Sequence, residues 1–146
     1  MALERRGRFY FGDCQADIRA ELLRYSKANQ CPAHHFADAS CKCGHMRFRL
    51  AIDDSRAAAS RICAACHAEH QIGGGPTALK ENKVGECICP CGCSEFEITV
   101  GLSLHEGSEN VKWIYFGCRC PHCGLTGVFG DWENDLIDYQ KLLACV

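Results

Sequence analysis

Eight thiols stand in four close pairs: Cys41-Lys42-Cys43, Cys63-Ala64-Ala65-Cys66, Cys89-Pro90-Cys91 and Cys120-Pro121-His122-Cys123. Paired cysteines support three chemistries. As thiolates they hold soft or borderline metal ions. As dithiols they exchange electrons. Oxidised, they cross-link the chain. The sequence holds 14 cysteines in 146 residues, far above ordinary usage, so one of these must shape the protein. Compartment helps to choose. The run Met1-Ala2-Leu3-Glu4-Arg5-Arg6 has no apolar stretch of the signal-peptide kind, and nothing reaches the ~18 apolar residues of a membrane span. A cytoplasmic chain without membrane contact is therefore expected. There thiols stay reduced, which favours metal over disulfides.

The pairs recur in one register. Cys41-Lys42-Cys43-Gly44 precedes Phe48, Leu50 and Ile52; Cys89-Pro90-Cys91-Gly92 precedes Phe96, Ile98 and Val100 at the same offsets. Cys63 to Cys66 leads to Ile72-Gly73, as Cys120 to Cys123 leads to Phe129-Gly130. Each unit reads C-x-C-G, strand, loop, strand, C-x-x-C, strand, glycine, which indicates an internal duplication. The segment between the pairs has 19 residues in the first unit and 28 in the second. The added length is expected as a loop insertion around Leu102 to Asn110.

Two knuckles that aim two thiolates each at one point make a tetrahedral four-cysteine shell. Cys120-Pro121-His122-Cys123-Gly124 is a C-P-x-C-G knuckle whose glycine suits an unusual backbone dihedral. On these motifs, residues 41–73 and 89–130 resemble the zinc-ribbon family of small metal-stapled β-modules. The resemblance implies two structural zinc ions and a binding surface, with no particular reaction. The ligand set is Cys41, Cys43, Cys63 and Cys66 for one ion, and Cys89, Cys91, Cys120 and Cys123 for the other. The first knuckle departs from the usual C-x-x-C spacing in both units. In the second unit Cys87, Cys89, Cys91 and Cys93 alternate, and the register with Cys41 and Cys43 selects Cys89 and Cys91. Cys93 then aligns with His45, and Cys118 with Arg61. Cys87, Cys93 and Cys118 read as small buried hydrophobes, with alternate ligation open, and Cys14, Cys31 and Cys145 as packing residues. His45, His67, His70 and His122 lie near the knuckles, and a Cys₃His shell is the variant to exclude. Iron is the competing metal, although cluster motifs group their cysteines more tightly.

The elements that must position these thiols follow from periodicity. Met46 to Ile52 and Phe96 to Val100 alternate as half-buried strands; Val111 to Phe116 and Thr126 to Phe129 read as further strands. A helix after Asp13 would carry Ile18, Leu22 and Tyr25 on one face. A second after Asp131 would carry Trp132, Leu136, Tyr139 and Leu143, with Asp13 and Asp131 as N-caps. Gly73-Gly74-Gly75-Pro76 breaks the chain, and a short helix is expected from Thr77 to Lys83. The fold class is α+β: two tandem zinc-ribbon antiparallel β units with flanking N- and C-terminal helices. The divisions are residues 1–36 (strand and helix), 37–75 (first ribbon) and 76–146 (second ribbon and terminal helix).

Charge divides the units. Residues 1–73 carry a net +3 and residues 74–146 a net −5, for −2 in all. Two four-thiolate zinc sites would lower the total to about −6, which opposes simple affinity for DNA. Arg47 and Arg49 stand where Glu95 and Glu97 stand in the second unit, and are expected to point outward. Either these faces meet within the fold or Arg47, Arg49, Arg56 and Arg61, extended by Arg5, Arg6 and Arg8, form a basic patch. There is no phosphate loop, G-x-S-x-G or HExxH, and a site closed by four thiolates has no open coordination position. Asp13 with Asp17, and Asp131 with Asp135, serve capping rather than acid–base chemistry. The expected function is a non-enzymatic protein-binding module. The alternatives are an immunity or antitoxin protein that neutralises a toxin, a nucleic-acid-binding ribbon, and a redox protein using Cys63 and Cys66.

Overall fold

The computed structural model describes residues 3–53, 57–72, 85–133 and 138–146. Arg56, the Gly73–Pro76 break, the helix expected from Thr77 to Lys83, and Asp135 and Leu136 lie outside them.

Each unit contains an antiparallel three-stranded meander, as the repeat leads one to expect. The first contains β4 (Phe48–Asp53), β5 (Ala58–Cys63) and β6 (Glu69–Gln71); the second contains β7 (Glu97–Leu104), β8 (Val111–Arg119) and β9 (Leu125–Glu133). The second meander is extended on both sides into a six-stranded sheet. On one side lies β3 (His35–Asp38); on the other lie β2 (Phe9–Phe11) and β1 (Glu4–Arg6).

The knuckles repeat bond for bond. The Cys41 amide donates to the His45 carbonyl and the Gly44 amide to Cys41; the Cys89 amide donates to Cys93 and the Gly92 amide to Cys89. Gly44 and Gly92 have φ of +93° and +97°, a region that a side chain would strain. In the second knuckles, His67 donates to the Cys63 carbonyl as Gly124 donates to that of Cys120. His67 takes its left-handed φ of 63° without being a glycine.

The two units are joined by a reciprocal exchange. β3, which leads into the first knuckle, pairs with β7 of the second unit, and the Ala39 amide donates to the Ile98 carbonyl. The stretch 85–87, which leads into the second unit's knuckle, pairs with β4 of the first, and the Cys87 amide donates to the Leu50 carbonyl. These are equivalent bonds in the C-x-C-G register. At the centre, Phe48 and Phe96, themselves equivalent, exchange both backbone bonds at 2.8 Å. The result is a pseudo-two-fold axis through that pair, the self-complementary geometry of a symmetric dimer written within one chain.

The main core lies between the units. Phe48, Leu50 and Ile52 of β4 pack with Ile98, Val100, Leu102, Ile114 and Phe116 of the larger sheet. The other face of that sheet carries α1 (Ala16–Ala28), whose Ile18 and Leu22 pack with Tyr115. Covered on both faces, β7 is buried from Ile98 to Ser103, so of the two aligned strands only β4 keeps the half-buried alternation. Helix α1 ends where Gln30 turns to φ 62° and Cys31 donates back to the Ser26 carbonyl, a Schellman-type stop before Pro32.

Four expectations are corrected. Asp131 does not cap a helix. It is a strand residue paired with Tyr115, and its carboxylate accepts from the Trp113 indole at 2.8 Å and the Tyr25 hydroxyl at 3.1 Å. The neighbouring Trp132 packs on Phe116 across the ladder, and the terminal helix α2 is only Tyr139–Leu143, capped by Asp138. Asp13 is not the N-cap of α1 either. That position is Gln15, and the Asp17 carboxylate reaches back to the Asp13 and Cys14 amides. The insertion in the second unit is partly strand: Leu102 to Leu104 continue β7, because β3 offers a pairing edge as far as Leu102. Cys14 is exposed rather than packed.

Candidate metal centres

Both clusters form at the same place in the repeat, where the C-x-C turn before one strand meets the C-x-x-C turn at the end of the next. Cys41, Cys43, Cys63 and Cys66 converge on one point, and Cys89, Cys91, Cys120 and Cys123 on another; within each four, all Sγ atoms lie within 4.8 Å of one another. Cys41 and Cys66 approach to 3.5 Å and Cys43 and Cys63 to 3.6 Å; Cys89 and Cys123 repeat the 3.5 Å and Cys91 and Cys120 the 3.6 Å. A disulfide needs about 2.05 Å. An ion with metal–sulfur bonds of about 2.3 Å at the centre of a tetrahedron spaces its ligands about 3.8 Å apart. The eight thiols therefore fit two four-coordinate metal ions.

Local electrostatics prepare the thiols for a cation. The Ala65 and Cys66 amides both point at Cys63 Sγ at 3.4 Å. The Cys66 amide above all brings the Cys63 thiol down to about 6, against an opposing effect of burial. At Cys120 burial pushes upward, but the Cys123 and His122 amides and the Cys91 and Cys123 thiols prevail and leave it down at about 7. The His45 amide favours ionisation of Cys43, yet its thiol neighbours Cys41 and Cys63 hold it at about 11. Burial foremost raises Cys89. Each cluster thus sets one thiol that ionises readily, Cys63 or Cys120, beside thiols raised above their ordinary range, and a bound cation would displace the protons that these hold.

The centres differ in what stands behind them. At the first, Arg61 is 7% exposed; its Nε donates to the Val146 carbonyl at 2.9 Å, and its guanidinium lies 4.4 Å from the Phe48 ring centroid. Burial weakens its hold on the proton, and the thiols of Cys41 and Cys63 oppose that loss, so its charge sits beside the cluster. The alternative that Arg61 joins an outward basic patch is overturned, because its guanidinium is enclosed by the Phe48 ring and the carbonyls of Val146 and Ser40. At the second centre the equivalent residue is Cys118, fully buried and neutral, its thiol raised well above the ordinary range by burial. Arg49 is exposed but ion-paired with Glu86, and Glu97 pairs with Arg119 at 2.9 Å. Arg47 is exposed.

No histidine joins either cluster among the described residues. His70 instead bonds the Cys145 carbonyl at 2.8 Å. Cys93 is half-buried near the second cluster, its thiol raised by burial and by Cys120 and Cys91; Cys87 is half-buried against the core. Sequence reasoning missed the role of Arg61 behind the first centre, for which its alignment with Cys118 was the only signal. It also missed Ile88, exposed beside the second knuckle. Among the described residues, no helix is long and apolar enough to cross a membrane.

Comparison with known proteins finds no match for this chain: no family model, no curated protein and no solved structure is similar to it.

Proposed function

We propose that the chain is a non-enzymatic protein-binding module built on two structural zinc ions, one in each four-cysteine cluster. The carrying observation is the closure of both clusters: four sulfurs converge on each point, which leaves a tetrahedral ion no open position for substrate or water. Zinc is the metal of choice for an all-thiolate tetrahedron with no need of redox. The pseudo-two-fold arrangement supports a scaffolding role, since both ions staple turns that flank the shared Phe48–Phe96 bridge. Electron exchange by Cys63 and Cys66 is disfavoured by the two further thiols at each point, which would compete for either cysteine. Nucleic-acid binding is disfavoured because Arg61 is buried and Arg49 is neutralised by Glu86.

Native mass spectrometry of the purified chain tests the zinc assignment, with thiol titration before and after chelation. Two zinc ions per chain, eight thiols gained on chelation and loss of tertiary structure are expected. Iron, a single ion, or a fold indifferent to chelation would overturn the assignment. Affinity capture with the zinc-loaded chain tests the module, and a salt-sensitive nucleic acid as the sole captured species would overturn it.

A further inference from the structure

The two centres share one register and one set of ligand types, yet the protein around them differs. In the first, Cys63 is buried, and Cys43 and Cys66, one from each knuckle, are exposed. In the second, Cys89 and Cys120 are buried and only Cys91 is exposed. The chain that leaves each C-x-x-C turn differs more. Residues 67–69, which carry Cys66 into β6, are all exposed, whereas their counterparts Gly124, Leu125 and Thr126 are all buried.

The cause is tertiary. β2 pairs with Leu125 and Thr126, and the Gly12 amide donates to the Gly124 carbonyl at 2.8 Å. Arg119 then ties the Gly12 carbonyl to the Glu97 carboxylate through two bonds of 2.9 Å. The second turn is thus clamped by elements that the repeat does not contain. Among the described residues, no amide donates to the equivalent carbonyl of His67, and no strand lies beyond β6. β6 itself has three residues, against nine in β9.

Backbone strain falls on the same turn. Gly124 takes its φ of 85° without steric cost, but His67 holds φ 63° with a side chain attached. A short, exposed and strained segment opens locally before the rest of a fold. One feature opposes loss of the ion: the Arg61 guanidinium beside Cys41 and Cys63 attracts a four-thiolate site. Arg61 lies on the buried side, over Phe48, and leaves Cys43 and Cys66 reachable. Its charge therefore adds to affinity, while access and local opening set the rate. We propose that the first centre is an exchangeable zinc site and the second a permanent one. A competing chelator takes the ion held by Cys41, Cys43, Cys63 and Cys66 first, through opening of the turn at His67, so that the β4–β6 ribbon responds to zinc supply. The proposal rests on the zinc reading above and adds regulation to it.

The test uses the native chain loaded with two zinc ions and mixed with excess 4-(2-pyridylazo)resorcinol, whose absorbance counts released zinc. Samples are quenched with iodoacetamide for peptide mass mapping. Release should be biphasic, one ion to each phase, with the first at least about tenfold faster. Alkylation should reach Cys41, Cys43, Cys63 and Cys66 in the fast phase, and Cys89, Cys91, Cys120 and Cys123 only in the slow one. Cys14, exposed and outside both clusters, labels from the start and serves as the reference. His67→Gly should slow the fast phase about threefold and spare the slow one, because relief of the left-handed strain outweighs glycine's added freedom in the open chain. Gly124→Ala should speed the slow phase, since its Cβ would stand 3.0 Å from the Gly12 carbonyl oxygen at a left-handed φ. Should Gly124→Ala fail to fold, the order of labelling in the native chain still decides. Release of both ions in one phase, earlier labelling of the second set, or a fast phase unmoved by His67→Gly would each overturn the proposal. Two zinc ions that leave together would overturn the exchange and spare the zinc assignment, whereas a purified chain without zinc would overturn both.

Discussion

Replacing Gly117 by alanine probes how α1 is seated on the larger sheet. Gly117 lies in β8 beneath the helix, and a Cβ there would stand 2.5 Å from Ile18 Cγ2 and 3.0 and 3.1 Å from Leu22 Cγ and Cδ2. Carbon atoms rest at roughly 3.5–4.0 Å, so the shortfall toward Ile18 is about 1 Å. Both side chains are fully buried and cannot swing into solvent. Such overpacking costs about 1–3 kcal/mol. Loss of glycine's freedom in the unfolded chain returns about 0.4–1 kcal/mol. The net is a loss of roughly 1–2 kcal/mol, or a melting midpoint about 2–8 °C lower for a chain of this size. Gly127→Ala in β9 is the control, since its Cβ would meet nothing closer than Phe129 Cε1 at 3.7 Å. It should be neutral or slightly stabilising. Urea unfolding at fixed zinc concentration, followed by tryptophan fluorescence, measures both, because metal binding shifts apparent stability by mass action. In the double variant with Ile18→Ala, the two costs should fall short of their sum. Equal stability of Gly117→Ala and the unaltered chain would refute the seating of α1 on β8.

Three further outcomes are expected. Arg61→Ala should cost about 2–3 kcal/mol in urea unfolding, through lost packing on Phe48 and the unmade bond to the Val146 carbonyl. Exposed Arg47→Ala should stay within about 0.5 kcal/mol. Equal costs for the two would contradict the burial of Arg61. Burial above all pushes the Tyr115 hydroxyl up to about 12, against the opposing Asn29 contact, so the fold favours the neutral ring. A raised folded value means that the full stability holds below the unfolded value of about 10 and declines as pH rises toward 12, by up to roughly 2–3 kcal/mol. Unfolding curves across that window should show a steeper alkaline loss for the native chain than for Tyr115→Phe; parallel losses would exclude Tyr115 as the cause. Tyr115→Phe should itself cost about 1–2 kcal/mol near neutrality, since the hydroxyl donates to the Cys31 carbonyl at 2.7 Å and accepts from Asn29 at 2.9 Å. Cys63→Ser and Cys120→Ser should each reduce bound zinc from two ions to one by native mass spectrometry. Retention of both ions would show that a neighbouring thiol, Cys93 above all at the second centre, replaces the lost ligand.

Much of the site was legible because its causes are local. A knuckle is a turn of four or five residues, so spacing alone brings two sulfurs to one point. Helix α1 declared itself through Ile18, Leu22 and Tyr25, since one turn of a helix is also a local matter. The helix expected after Asp131 went wrong for the opposite reason. Trp132 suits a helical pattern equally well, yet its partners Phe116 and Ile114 lie on another strand, and pairing with β8 settled the conformation. The sequence left Arg61 open between an internal face and a basic patch, because alternation on a strand says which residues share a face, not which face is covered.

By itself, then, the sequence determined the eight cysteines, their grouping in two fours and the repeated meander that carries them, because identical short-range spacings dictate identical turns. Only the tertiary structure decided how the two units join. Each sends its leading strand to the other, around Phe48 and Phe96, and this exchange pairs residues whose separation along the chain leaves no periodic trace. The same long-range packing buried Arg61 behind one centre and Cys118 behind the other.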